Sequence, residues 1–70
     1  MVFKIGSIKA EAGFGGQHNG DWCVSFWETR ERAEEECQSR DIPIERISQE
    51  EQDTDAFPKV GVWYDFHGEL

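Results

Sequence analysis

The apolar positions of this chain change period at one point. From Trp22 to Glu28 they alternate, with Trp22, Val24 and Phe26 on one side and Cys23, Ser25 and Trp27 on the other. Period two is how a half-buried strand reads. At Thr29 the spacing turns helical, and the apolar stripe narrows to Ala33 and Cys37, four apart. The pattern therefore predicts a strand running almost directly into a helix from Thr29 to about Arg40. Thr29 offers its hydroxyl as a cap, and Glu31 places negative charge on the positive end of the helix dipole. Glu28–Arg32, Arg30–Glu34, Arg32–Glu36 and Glu36–Arg40 all have i,i+4 spacing, each pair worth about 0.2–0.5 kcal/mol when exposed. The triple Glu34-Glu35-Glu36 then reads as a solvated helix face. Small residues in the stripe allow the helix axis to approach a sheet closely, with the large side chains supplied by the strands.

Upstream, Val2 to Glu11 reads as a first strand. Phe3 and Ile5 share one parity and Ile8 and Ala10 the other, and a one-residue shift at Gly6-Ser7 is what a β-bulge produces. Ala12 to Gly20 follows as a glycine-rich connection. Its Asn19-Gly20 is a type I′ turn signal, yet a tight turn there would leave Phe3 to Ile8 unpaired by the Trp22 strand, so a wide connection is expected. No Lys-Ser/Thr follows the glycines and the next element is a strand, which is the wrong context for a phosphate loop.

Downstream, Asp41 to Ser48 reads two ways. Ile42 and Ile44 alternate like a strand, while Ile44 and Ile47 are spaced like a helix beginning at Pro43; a short third strand is the favoured reading. Gln49 to Ala56 has no apolar period and reads as an acidic loop. Lys59 to His67 alternates again, Val60, Val62, Tyr64 and Phe66 against Gly61, Trp63, Asp65 and His67. The expected fold class is α+β: a single domain over residues 1–70, with a small antiparallel sheet in β-β-α-β-β order and one helix packed on one face.

Composition sharpens this picture. A chain of 70 residues buries only about 60% of the surface its unfolded form exposes, so the core is thin. Three Trp, five Phe and one Tyr supply the apolar area that keeps such a chain from being disordered. Fifteen acidic and seven basic side chains give a net charge of −8, of which −5 falls within residues 41–58. That balance repels nucleic-acid phosphates and anionic membrane surfaces, which disfavours direct binding to either, and it favours a basic protein or a nucleic-acid-binding complex as partner. Met1 to Gly6 lacks the charged and apolar regions of a signal peptide, and no stretch is long enough to span a bilayer, so a cytoplasmic location with reduced thiols is expected.

The residues that could carry chemistry do not assemble into a motif. Cys23, Cys37, His18 and His67 match no metal-ligand spacing. Cys37 sits late in its helix behind three glutamates, where its thiolate is disfavoured. The paired carboxylates cluster in a loop with nothing to tune them. The expectation is a non-enzyme with no cofactor and no metal.

Binding has better support. With the helix on the Trp22/Val24/Phe26 side, Trp27 and Trp63 would lie on the uncovered side, and with Phe14 in the glycine-rich connection they are candidate anchors. Glu45, Glu50, Glu51, Asp53 and Asp55 are the candidate carboxylates for Lys and Arg side chains of a partner. The alternative expectation is a structural module that homodimerises through the Trp27/Trp63 face. Two strands, a helix introduced by Glu28-Thr29 and a returning hairpin, on a small acidic chain, resemble phage-encoded inhibitors of bacterial machinery, among them transcription inhibitors and anti-CRISPR proteins. That resemblance is one of size, charge and element order and assigns no individual residue; it implies inhibition by surfaces that imitate nucleic acid.

Overall fold

The computed structural model describes residues 1–9, 22–65 and 68–69. In chain order the elements are β1 (Val2–Lys9), β2 (Trp22–Trp27), α1 (Arg30–Arg40), a single 3-10 turn (Ile44–Arg46), β3 (Ile47–Glu50), β4 (Trp63–Asp65) and β5 (Gly68–Glu69). The five strands form one antiparallel sheet in the order β3-β1-β2-β4-β5. One helix lies on one face of it. The α+β architecture is as expected, with a fifth strand and a 3-10 turn added.

Thr29 caps α1 as its chemistry requires: its backbone is extended and its hydroxyl accepts the Arg32 N–H at 3.1 Å. The far end closes with Asp41 in the left-handed region (φ 58°) and the Ile42 N–H returning to the Cys37 carbonyl at 2.8 Å. Ile42 then packs against the core, so the turn that ends the helix also aims the chain towards β3. Two of the four i,i+4 pairs form, Arg30–Glu34 and Glu36–Arg40. In β1 the register shifts between Ile5 and Ile8, which stand opposite Ser25 and Cys23. The bulge expected at Gly6-Ser7 is therefore present, with Gly6 at φ 152°.

The main core lies between α1 and the sheet: Ile5, Cys23, Trp27, Ala33, Cys37, Ile47 and Trp63, with Phe3 and Ile42 packed against them. This reverses the expected facing of the sheet. Trp27 and Trp63 are each only 6% exposed, under the helix rather than on an uncovered side. The reason is steric. Only Glu28 and Thr29 separate β2 from α1, and the helix stripe of Ala33 and Cys37 is small. It fits over the small Cys23 and Ser25, with the two indoles as large flanking walls. Trp27 Nε1–H donates to the Ser25 hydroxyl at 2.7 Å, so neither polar group is stranded by burial.

The opposite face carries Val24, Phe26 and Tyr64. Phe57, from the segment between β3 and β4, covers it. Its ring centroid lies 5.3 Å from that of Phe26 and 5.3 Å from that of Tyr64. The strand expected over Lys59 to His67 is shorter than its alternation implies. Gly61 takes φ 78° and donates its N–H to the Phe26 carbonyl at 2.7 Å, so the chain bends before Trp63 and ladder pairing starts only there. Residues 41–48 combine both readings, a helical turn after Pro43 and then a strand.

A Cβ added at Gly6 would come within 3.1 Å of Val24 Cβ and 3.2 Å of its backbone Cα, at a φ that side chains avoid. Gly6→Ala is expected to lower stability by about 1 kcal/mol or more in urea unfolding, because both the conformation and the space exclude a methyl group. An unchanged unfolding midpoint would contradict the bulge.

Candidate protein-binding surface

Glu45, Glu50, Glu51, Asp53 and Asp55 lie on consecutive elements that leave all five exposed. Pro43 starts the 3-10 turn, closed by Arg46 N–H to the Pro43 carbonyl at 3.0 Å, and Glu45 stands in it. The chain then extends into β3, where Glu50 lies opposite Val2 of β1. Glu50 accepts the Ser48 hydroxyl at 2.6 Å, and its other oxygen is 3.9 Å from Lys4 Nζ.

The acidic loop that follows is a built structure. The Asp53 carboxylate accepts the N–H groups of Asp55 and Ala56 at 3.2 and 3.3 Å, and the Asp53 carbonyl accepts the Phe57 N–H at 2.8 Å. The Gln52 amide donates to the carbonyls of Phe57 (2.6 Å) and Lys59 (3.1 Å), tying the two ends of the loop together. Lys59 N–H donates to the Tyr64 hydroxyl at 2.8 Å, and the Phe57 ring is seated between Phe26 and Tyr64. The carboxylates thus divide by role. Glu50 and Asp53 hold local structure, while Glu45, Glu51 and Asp55 project into solvent. Lys59 belongs to the far edge of the sheet, where Glu69, 3.1 Å away, raises its pKa through a hydrogen bond and charge.

Trp27 and Trp63 are not part of this surface. Trp63 instead locks β4 to α1: its Nε1–H donates to Glu36 at 3.2 Å, Glu36 pairs with Arg40, and the Arg40 guanidinium lies 5.4 Å from the centre of the same indole. Phe14 lies outside the described residues, as do His18 and His67. Among the described residues the large apolar side chains that stay exposed are Met1 and Ile44, and Ile44 adjoins Glu45 in the 3-10 turn. Sequence reasoning missed Gln52 and Phe57. The available signal was an aromatic residue between Ala56 and Pro58 in an otherwise polar run, which has to find a core somewhere.

Cys23 and Cys37 are not joined in a disulfide, and both are fully buried on the helix side. Burial pushes the Cys37 thiol above its usual 9.0, and Glu36 and Glu34 push in the same direction. Among the described residues no group of three or more His, Cys, Asp or Glu is placed to hold a metal ion. No helix among them is long and apolar enough to cross a membrane. Comparison with protein-family models, with curated proteins and with solved structures gives no match.

Two outcomes follow from this geometry. Because the folded thiol ionises later than the unfolded one, the Cys37 contribution to stability is complete below pH 9.0 and falls as pH rises beyond it. Chemical unfolding measured across that window should show the decline, with a shallower slope in Cys37→Ala. Gln52→Ala removes the donor shared by the Phe57 and Lys59 carbonyls, at a cost of about 1–2 kcal/mol. Amide exchange of residues 53–58 should accelerate while that of α1 does not.

Proposed function

We propose that this protein is a small, acidic, non-enzymatic binding protein that inhibits or modulates a nucleic-acid-binding protein complex. Carboxylates of the 45–55 region occupy a Lys/Arg surface that would otherwise hold phosphates. The observation that carries this reading is the built acidic edge: Glu45, Glu50, Glu51, Asp53 and Asp55 exposed on one continuous run, with its loop tied by Gln52 and seated by Phe57. Charges held in place lose less freedom on binding than charges on a mobile tail, and complementary potentials speed encounter with a basic partner. Ile44 supplies an apolar contact beside the carboxylates. A self-associating module would need the Trp27/Trp63 face, which α1 covers.

The test is affinity capture from source-cell lysate by the wild type and by Glu50→Gln/Glu51→Gln/Asp53→Asn/Asp55→Asn, with the bound proteins identified by mass. Asparagine at 53 keeps the acceptor oxygen of the loop, so the variant loses charge and retains shape. The wild type should hold a basic nucleic-acid-binding complex and the variant release it. Affinity should also fall steeply with salt, since exposed charges are screened over about 8 Å at physiological ionic strength. Capture of the same partner by both proteins, or salt-independent capture, would count against the reading.

A further inference from the structure

Among the described residues the β3 edge of the sheet carries no further strand, and backbone parity shows which of its groups face outward. Phe26 directs its carbonyl towards β4, where it accepts the Gly61 N–H at 2.7 Å. Lys4, opposite Phe26 in the register, therefore turns its own backbone groups the other way, to β3. A second observation agrees: the Ile47 N–H donates to the Ile44 carbonyl, closing the 3-10 turn, so Ile47 is not the residue that donates to β1. In an antiparallel ladder the bonded residues alternate. Ser48 and Glu50 thus exchange hydrogen bonds with Lys4 and Val2, while the Ile47 carbonyl, both Gln49 backbone groups and the Glu51 N–H point away from the sheet. Gln49, Glu50 and Glu51 are exposed, and β3 ends the strand order.

We infer that β3 is a strand-addition site that takes an extended, Lys/Arg-bearing segment of a partner protein as a sixth strand. The inference rests on the basic-partner reading above and specifies how that partner is held: by main-chain bonds to Gln49 and Glu51. Alternate side chains of the incoming segment fall beside Ser48 and Glu50, the face on which a basic residue meets a carboxylate. Charge selects this occupant over a second copy of the chain. Two β3 edges brought together would juxtapose two segments of net charge −5, and carboxylates on an edge are a common device against self-pairing. The same charge attracts a basic strand.

The probe is a synthetic peptide alternating Lys and Val, beside the same peptide N-methylated at every backbone nitrogen. Charge is equal in the two, but only the first can donate main-chain hydrogen bonds. Dissociation constants come from fluorescence anisotropy at low salt, and amide exchange of Gln49 and Glu51 is followed by NMR. The unmodified peptide should bind about tenfold tighter and slow exchange at both amides, the expectation for one or two extra main-chain bonds. Gln49→Pro spares the β1 ladder but removes an outward donor and sets its ring where the added strand must lie, so it should weaken binding of the unmodified peptide, and Gln49→Ala should keep it. Should the proline variant fail to fold, the peptide pair still decides.

Equal binding of both peptides without slowed exchange at Gln49 would overturn strand addition and leave the basic-partner reading standing. Binding of neither peptide would overturn the edge site, and the capture experiment would then judge the basic-partner reading alone. A dimer formed without peptide, with Gln49 protected, would overturn the choice of occupant in favour of a second copy.

Discussion

The link of two residues between β2 and α1 is the constraint from which the rest of the arrangement follows. Glu28 and Thr29 give the chain no room to wander, so the helix must fold back across the strand it has just left. It can do so closely because the stripe it presents is only Ala33 and Cys37, both fully buried. Close approach over Cys23 and Ser25 leaves space at the margins, and the Trp27 and Trp63 indoles occupy it. Each indole brings a polar N–H into the core, and each N–H finds an acceptor, Ser25 for one and Glu36 for the other. Glu36 in turn holds Arg40 against the Trp63 ring. A helix with little apolar surface of its own is thereby fastened by large side chains belonging to the strands.

Assigning the helix to the Trp27 side leaves Phe26 and Tyr64 on the other, and among the described residues there is no second helix to cover them. Phe57 meets that need from within an acidic segment. Charge and burial are therefore coupled in one stretch: the aromatic ring covers the second face, and by doing so fixes the carboxylates that precede it. The acidic edge is a product of folding, and its geometry depends on a contact made on the far side of the sheet from α1.

Much of this was legible in the sequence, for identifiable reasons. The strand-to-helix switch, the Thr29 cap and the bulge at Gly6 are local, set by side-chain period and backbone chemistry within a few residues. The α+β class follows from element order. What the pattern could not convey is non-local. Parity divides β2 into two faces without saying which one the helix will choose, and counting apolar area favours the wrong one. Steric fit decides, and it involves Ala33, Cys37 and the length of the link together. The Lys59 to His67 alternation likewise extends beyond the actual strand, because Gly61 bends the chain to reach Phe26. Of the candidate surface, exposure of the five carboxylates could be read from composition. The hydrogen bonds of Gln52 and Asp53 that shape the loop, and the removal of Trp27 and Trp63 from the surface, required the fold.

The bulge in β1 has a bearing on chain length. Ile5 and Ile8 stand opposite Ser25 and Cys23, so Gly6 and Ser7 together face the single residue Val24. The strand carries one residue more than its partner requires. A chain shortened by one residue between Ile5 and Ile8 would keep every pair on either side of the gap, whereas a deletion anywhere else in the strand would turn its core residues to the opposite face. β1 thus contains one place at which the loss of a residue leaves the core pattern intact. The tolerance is confined to the two residues that face Val24, where the sheet leaves no room for a Cβ on Gly6.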